Sequence, residues 1–452
     1  MTSLNQLIQD LVEEFTRVQA PEALPEKIAG KISLPGLIST GNGGSIATSR
    51  EMERLIKEIA KELKSADKSI ANRFTDREWD WLVRGTFGSA LATVEFAESS
   101  DHNGIRVLKS VQSQLTAAKP SKPTEHGFGC NLFSRSDVAP FAIGPVTFEA
   151  RLIWLDRKET QGGVSKITAR RIRTIWAGKK VAKRKNGFDA HHEKAILDAI
   201  KSCQYVCSVS TIGLASEAGR NKAQVAAHMA MTAIALTWAT PSRAMEGFRL
   251  LTDPGVRLQR SLVFVPGIRI LPGSNIVGNP FGPGINPAEW AAALVDFGYL
   301  FATIGEAIDF YLSLNKMTHR PRIMNLLSQA ILWFYEACRE EVHLMAIVKF
   351  SATLDALASG GKSGGIRRLA NARLKIQDSD PIRKGGPTLK SVIDDIYSTG
   401  RSRTIHGTNE RIGEDWSELR NTAEHIARAC LIFSIYWISL NPHIDDPACL
   451  QK

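Results

Sequence analysis

Apolar residues recur at helical spacing through the last third of this 452-residue sequence. In the closing segment, 415–440, one apolar stripe recurs at steps of three and four: Trp416, Leu419, Ala423, Ile426, Cys430, Phe433 and Trp437. The same spacing marks five segments before it: 287–314, 320–339, 341–358, 363–375 and 388–406. A stripe of this kind must be buried against other helices. Residues 286–452 are therefore predicted to form a compact helical bundle.

Residues 1–118 are predicted to form a helical N-terminal region. The clearest helix covers 49–70, where apolar residues again recur at helical steps and Ser49 stands where an N-cap is expected. Two further helices are expected over 76–98 and 104–117. Two prolines and two glycines in 117–129 interrupt this pattern and indicate a boundary.

The middle region, 119–285, reads as mixed α/β. Alternating stretches at 146–155 and 164–176 flank a turn-rich segment, which predicts a β-hairpin. Helices over 190–212 and 220–250 and a strand from 256 are expected to follow, and a connector rich in glycine and proline then leads to the bundle. The expected fold class is mainly α and multidomain, with this mixed region between two helical ones.

Composition narrows the class of protein. A hydrophobic fraction of 43% and a charged fraction of 23% fit a folded globular chain. No run of eighteen apolar residues occurs, and the first residues lack the basic and apolar parts of a secretory signal. The six cysteines are scattered, which is typical of reduced thiols. We expect a cytoplasmic protein with no membrane partner.

Positive charge is concentrated in one segment, although the net charge is only +11. Nine basic residues and no acidic residue lie in 166–185: Lys166, Arg170, Arg171, Arg173, Lys179, Lys180, Lys183, Arg184 and Lys185. Such a surplus attracts polyanions, which makes the segment a candidate nucleic-acid interface, with Trp176 available to stack on a base. A solvated face or an oligomer contact would have the same composition.

One cysteine pair suggests a metal site but lacks the remaining ligands. Cys203 and Cys207 follow His191 and His192, and no second pair comes after them. Structural zinc needs four ligands at characteristic spacing. If the expected helix over 190–212 forms, the two cysteines share one of its faces as core thiols. No metal and no cofactor is predicted.

The strongest chemical signal is Arg401 followed five residues later by His406. Arginine keeps its charge and grips phosphate oxygens with two donors, whereas histidine moves a proton near neutral pH. Together they can cleave RNA when the 2′-hydroxyl attacks its own phosphodiester. The spacing alone is equally typical of a surface ion pair and a histidine that caps a helix.

Several motifs in order resemble an Apea-like HEPN domain, of the higher eukaryote and prokaryote nucleotide-binding superfamily. The apolar helix 343–358 carries an acidic residue, Asp355, and is followed by a loop and a basic helix over 359–374. The stretch 389–407 resembles the family's tyrosine, arginine-serine and histidine-glycine pattern, and the long helix 415–440 closes it. The resemblance covers about a quarter of the chain, and residues 1–285 resemble no family that we can name.

The resemblance implies a metal-independent endoribonuclease, of the abortive-infection or toxin type in phage defence, that acts as a homodimer on RNA. Arg401 and His406 would be its catalytic pair and Ser402 the polar residue after the arginine. The alternative is a non-catalytic HEPN bundle that binds a nucleotide or a partner.

Helix geometry leaves the partner of His406 open. Residues five apart on an unbroken α-helix diverge by about 140°, whereas Arg403 and His406, three apart, share one face. A distorted helix end, an arginine from a second subunit, or Arg403 itself would resolve this divergence. Asn409, just after the histidine, is a further auxiliary candidate for the same cleft.

Overall fold

The computed structural model describes residues 3–21, 35–254, 266–267, 282–316 and 318–452, together with the backbone of short strands at 27–28, 31–32, 258–263 and 271–276. The protein is mainly helical, as the sequence predicts. Its chain divides into two compact units. One combines Met1–Thr124 with Thr211–Asn221, and the other combines Glu125–Ser210 with Lys222–Lys452. The three predicted regions, 1–118, 119–285 and 286–452, stay a prediction of domain organisation.

The first unit consists mostly of helices around one apolar core. Its elements are α1 (Leu4–Gln19), β1 (Lys27–Ile28), β2 (Lys31–Ile32), β3 (Gly36–Ser39), β4 (Ser45–Thr48), α2 (Arg50–Ala66), α3 (Lys68–Arg73), α4 (Asp76–Leu91) and α5 (Ser100–Ala117). The predicted N-cap is confirmed, because the Ser49 hydroxyl accepts a hydrogen bond from the Met52 amide at 3.1 Å. The apolar stripes of the helices, including Leu11, Ile59 and Phe87, are buried together.

The second unit contains a five-stranded sheet in the order β6-β7-β8-β5-β9. Its strands are β5 (Pro123–Asn131), β6 (Phe141–Ile143), β7 (Val146–Ala150), β8 (Tyr205–Ile212) and β9 (Arg249–Leu250). β7 pairs antiparallel with β6 and with β8, and Phe148 lies opposite Cys207. The helices between and after these strands are α6 (Arg151–Thr160), α7 (Lys166–Trp176), α8 (Phe188–Ile200), α9 (Ser216–Ala235) and α10 (Pro241–Gly247). The residues of α9 up to Asn221 belong to the first unit.

The predicted β-hairpin over 146–176 is wrong. Only its first five residues form a strand, β7, and α6 and α7 replace the rest. Ser165 caps α7 by accepting a hydrogen bond from the Thr168 amide at 3.3 Å. The buried residues Thr168, Ala169 and Ile172 have helical spacing, and Ile172 packs with Trp154 of α6. The apolar residues of short segments rich in β-branched residues fit the helical period and the strand period equally well. Burial against the rest of the fold favours the helix here.

The predicted helix over 190–212 is wrong in its second half. α8 ends at Ile200, and β8 begins at Tyr205. The cysteines therefore do not share a helix face, because Cys203 precedes the strand and Cys207 lies within it. Both thiols are buried, and burial raises the pKa of each above its usual value. The segment after 203 is rich in valine, threonine and isoleucine, which suits the fully buried interior of a sheet.

A strand is confirmed in the predicted region after 256, and a second strand pairs with it. β10 (Leu258–Val263) and β11 (Leu271–Ile276) are antiparallel, with Leu258 opposite Ile276. β11 occupies the start of the predicted connector, and residues 277–281 of that connector lie outside the described residues.

The helices expected after residue 286 are present. They are α11 (Pro287–Asp296), α12 (Gly298–Leu312), α13 (Pro321–Cys338), α14 (His343–Leu357), α15 (Lys362–Leu374), α16 (Leu389–Asp394), a π-helix (Asp395–Ser402), α17 (Arg403–Ile405), α18 (Ser417–Leu440) and a closing 3₁₀ helix (Pro447–Gln451). The expected helix 287–314 is two helices that meet at Phe297. Their apolar core is continuous with that of the sheet, so that Phe148, Phe334 and Cys430 belong to one cluster.

Among the described residues, none of the helices is by itself long and apolar enough to cross a bilayer. The bent pair α11 and α12, with 73° between the two axes, passes that test of length and composition only when taken together.

Candidate active site and nucleic-acid interface

The segment that carries the arginine and the histidine is not one regular helix. α16 continues into the π-helix Asp395–Ser402, and the short α17 follows. The Arg403 amide donates to the Ser398 carbonyl, five residues back, which is the widened bond of a π-helix. π-helical turns inside α-helices are frequent at functional sites. The sequence predicts a helix here but gives no sign of this widening.

Gly400 lets the π-helix approach α14 closely. A Cβ atom at this position would lie 2.5 Å from Ile347 Cγ2, closer than side-chain atoms pack. Gly400 is itself buried. The absence of a side chain therefore brings the backbone of residues 400–401 against α14, the helix that carries Asp355.

Arg401 is held by two side chains of the protein. Its Nη2 lies 3.3 Å from Asp355 Oδ2, and its Nη1 donates to the Tyr397 hydroxyl at 3.0 Å. The guanidinium also lies over the Tyr397 ring, 5.0 Å from its centre. The Arg401 and Asp355 side chains are 25% and 23% exposed, so the pair is partly withdrawn from water yet open to a ligand.

Two polar atoms of this cluster are unused by the described residues. Arg401 Nε and Asp355 Oδ1 are buried and have no hydrogen-bond partner there. Buried polar atoms are normally paired. The Nε atoms of six other arginines are equally buried and lack a hydrogen-bond partner among the described residues, so these two atoms do not by themselves mark a ligand site.

His406 lies at the end of α17 and is exposed. The chain turns at once, because Gly407 adopts a left-handed conformation with φ 70°. The imidazole makes no hydrogen bond or ion pair with any described residue, Arg401 included. The His406 amide donates to the Ser402 carbonyl at 3.0 Å, an α-helical bond, so the widened turn ends before the histidine. Arg401 is thus oriented toward α14, and His406 toward solvent.

The auxiliary candidates Ser402, Arg403 and Asn409 differ in the contacts that they make. The Arg403 side chain is exposed and has no ion pair among the described residues, and Ser402 contributes its carbonyl to His406. Asn409 folds the loop back on the helix by donating to Thr404 Oγ1 at 2.8 Å. The Asn409 side chain therefore fixes the loop that follows the histidine.

A groove of about 330 Å³ opens beside another part of the π-helix. Its lining includes Asp395 and Thr399 of the π-helix together with Arg411 and Glu418. The arginines of the groove pair with neighbouring acids, for example Arg383 with Glu418 at 2.7 Å. This groove has no surplus of positive charge for a phosphate.

Three arginines of the basic segment form ion pairs with acidic residues of the chain. Arg171 bonds to Glu193 at 2.7 Å, and Arg173 to Asp156 and Glu159, each at 2.5 Å. Arg184 bonds to Asp189 at 2.6 Å and lies 3.3 Å from Glu193. The hydrogen bond from Arg171 holds the pKa of Glu193 below its usual value, against the opposing effect of burial. These arginines are structural.

The other basic residues of the segment face solvent. None of them makes an ion pair or a side-chain hydrogen bond with a described residue: Lys166, Arg170, Lys179, Lys180, Lys183 and Lys185. Trp176 is half-buried, and the Arg151 guanidinium lies 5.0 Å from the centre of its ring. One face of Trp176 is therefore already covered by the protein.

Sequence reasoning named the candidate residues but not their partners. It named Asp355 but not its pairing with Arg401, and it did not anticipate that Arg171, Arg173 and Arg184 pair with acidic residues. A signal for these pairings existed, because Asp156, Glu159, Asp189 and Glu193 flank the basic run on both sides. The predicted hairpin and the predicted helix from 190 gave these acids no spatial relation to the arginines.

Comparisons of the chain with protein-family models, with curated protein sequences and with solved structures found no match. The functional interpretation therefore depends on the residues and their geometry.

Proposed function

We propose that the chain is a metal-independent RNA endonuclease of the Apea-like HEPN type, with Arg401 and His406 as its catalytic pair. The observation that supports this most directly is the arrangement around Arg401. A guanidinium is fixed by Asp355 and Tyr397 on a π-helical turn, five residues before an exposed imidazole that no described residue pairs with. A surface ion pair needs neither the π-helix nor the close approach at Gly400.

The fixed guanidinium suits phosphate binding. Arginine has five N–H donors in a planar fork, and Asp355 and Tyr397 engage only the Nη groups. The Arg401 side chain is 25% exposed while its Nε is buried, so a phosphate would approach the Nη groups. Because Asp355 and Tyr397 already restrict the side chain, less rotamer entropy is lost when a phosphate binds.

The reaction follows from the two residue types. His406 accepts the proton of the 2′-hydroxyl, the 2′-oxygen forms a bond to phosphorus, and the bond from phosphorus to the 5′-oxygen breaks. Arg401 stabilises the negative charge that develops on the phosphoryl oxygens. The leaving 5′-oxygen takes a proton, for which a homodimer supplies a second His406. The products carry a 2′,3′-cyclic phosphate and a 5′-hydroxyl.

The same proposal covers the biological setting. Residues 286–452 would be the HEPN-like domain of a multidomain cytoplasmic effector in phage defence, acting in abortive infection or as a toxin. Residues 1–285 would hold the substrate, sense a trigger or restrain the nuclease.

One observation favours the non-catalytic alternative. The Arg401 guanidinium is already paired with a carboxylate, and it does not contact His406 in the single chain. A HEPN bundle that binds a nucleotide or a partner would need no closer approach of the two.

Incubation of the full chain with a radiolabelled RNA, followed by analysis of both new ends, tests the proposal. We expect cyclic-phosphate and 5′-hydroxyl ends from the wild type and at least a 100-fold loss of rate in Arg401→Ala and in His406→Ala. Arg403→Ala is the matched control, because it removes an exposed arginine of the same turn that has no side-chain partner in the described part of the chain. RNA that stays intact with wild type would favour the binding module, and a loss in Arg403→Ala alone would transfer the role to Arg403.

A further inference from the structure

The segment 166–192 combines cations that pair with no described residue and an exposed aromatic ring. Phe188, the first residue of α8, is 84% exposed. Its ring lies 5.9 Å from that of His192, which is half-buried on the next turn. Four lysines with no partner among the described residues precede the phenylalanine: Lys179, Lys180, Lys183 and Lys185.

Side-chain hydrogen bonds hold the loop between α7 and α8 in place. The guanidinium of Arg171 donates to the carbonyl of Ala182 at 2.9 Å, and that of Arg184 donates to Thr168 Oγ1 at 2.9 Å. Both arginines also bond to Glu193, which is buried in α8. The ion pairs therefore fix the loop to α7 and α8, while the lysines between them stay in solvent.

We propose that this surface, defined by the four lysines and Phe188, binds single-stranded RNA, with a base stacked on Phe188. Lysines along a strand neutralise successive phosphates, and an exposed ring offers a face that any base can cover. Bases in a duplex are already stacked on each other, so only an unpaired strand can supply such a base. The proposal deepens the ribonuclease proposal by naming the form of its substrate.

Charge complementarity alone would also suit an acidic protein, but the aromatic ring distinguishes the two. An acidic peptide gains from the lysines and not from a ring placed beside them. Phe188 has little contact with the protein, so its exposure has no explanation in packing.

The probe is a fluorescent 2′-O-methyl oligouridine, and binding to the full chain is measured by anisotropy at several salt concentrations. This RNA has no free 2′-hydroxyl and cannot be cleaved by the proposed reaction. A failure of binding and a failure of catalysis are therefore distinguishable.

The lysines and the Phe188 ring should affect RNA binding differently, because only the lysines should change its dependence on salt concentration. Changing Lys179, Lys180, Lys183 and Lys185 to Gln should weaken binding at least about tenfold and lower the salt slope by about 3. Phe188→Ala should weaken binding about tenfold at an unchanged salt slope, and Phe188→Trp should restore it. The same oligomer annealed to its complement should bind more weakly and should not respond to Phe188→Ala.

Matched variants control for net charge and for loss of an aromatic ring. Lys68, Lys109, Lys384 and Lys390 are exposed and unpaired among the described residues, and their joint change to Gln removes the same charge elsewhere. Trp81→Ala removes another ring that is 78% exposed. Equal losses in the two lysine sets, or an unchanged affinity in Phe188→Ala, would overturn the proposal. Equal affinity for the duplex would do so as well.

Discussion

Arginine has opposite roles in the two candidate regions. At the π-helix, one arginine is held by Asp355 and Tyr397, and its side chain stays 25% exposed. In the basic segment, Arg171 and Arg184 bond to Glu193 of the fold, and the lysines between them are exposed to solvent. The number of cations in a sequence segment therefore says little about how many can bind a polyanion. The acids that meet them in three dimensions decide it.

The largest expected effect comes from Gly400. Gly400→Ala places a methyl group against Ile347 Cγ2, so the π-helix must move away from α14 and take Arg401 with it. We expect about a 100-fold loss of RNA cleavage, since small displacements of a catalytic group have effects of this size. The loss is measured as the rate of RNA cleavage. Adding Ile347→Ala to the Gly400→Ala variant should recover part of it. Full activity in Gly400→Ala would show that the close approach is not needed.

The second-largest effect on RNA cleavage is expected at Asp355. Asp355→Asn keeps the shape of the side chain but removes the charge that orients Arg401. About a tenfold fall in kcat is expected, with the fold intact by circular dichroism. Asp156→Asn, which touches a structural arginine of the other region, is the control and should leave kcat unchanged. Equal behaviour of the two variants would remove the distinction between the regions.

Glu193 makes the basic segment sensitive to acid. Its pKa is lowered from the ordinary value of 4.5 by the hydrogen bond from Arg171. A carboxyl with a lowered pKa stabilises the folded state above its unfolded-state pKa and loses that contribution as the pH falls through the folded value. Glu193→Gln should therefore lower Tm by about 3 °C at pH 7. The difference from wild type should shrink below about pH 4, and a constant difference down to pH 2 would contradict the linkage.

The smallest effect is expected at the groove beside the π-helix. Arg383 and Glu418 form an ion pair there, but their side chains are 63% and 79% exposed. Exposed pairs of this kind contribute about 0.5 kcal/mol or less. Urea unfolding of Arg383→Ala should show almost no change in midpoint, and cleavage should be normal. A large loss of activity would instead assign the groove to the active site.

The helices were predictable where local signals agreed. Apolar stripes, the cap at Ser49 and the breaks at proline and glycine depend on near neighbours, and they fixed α2, α13, α14 and α18 to within a few residues. The secondary structure was predicted wrongly in parts of 146–176 and 190–212. Both segments are rich in β-branched residues, and their apolar residues fit the helical period as well as the strand period. Burial against other elements decided between helix and strand there.

The mainly helical fold class and the helices after residue 286 could be predicted from the amino-acid sequence. The pairs of residues that meet could not: Asp355 with Arg401, Gly400 with Ile347, and Glu193 with Arg171 and Arg184. The two kinds of signal differ in range. Periodicity and capping act within a few residues, whereas ion pairing and close packing join residues that are distant in sequence and depend on how whole helices are placed.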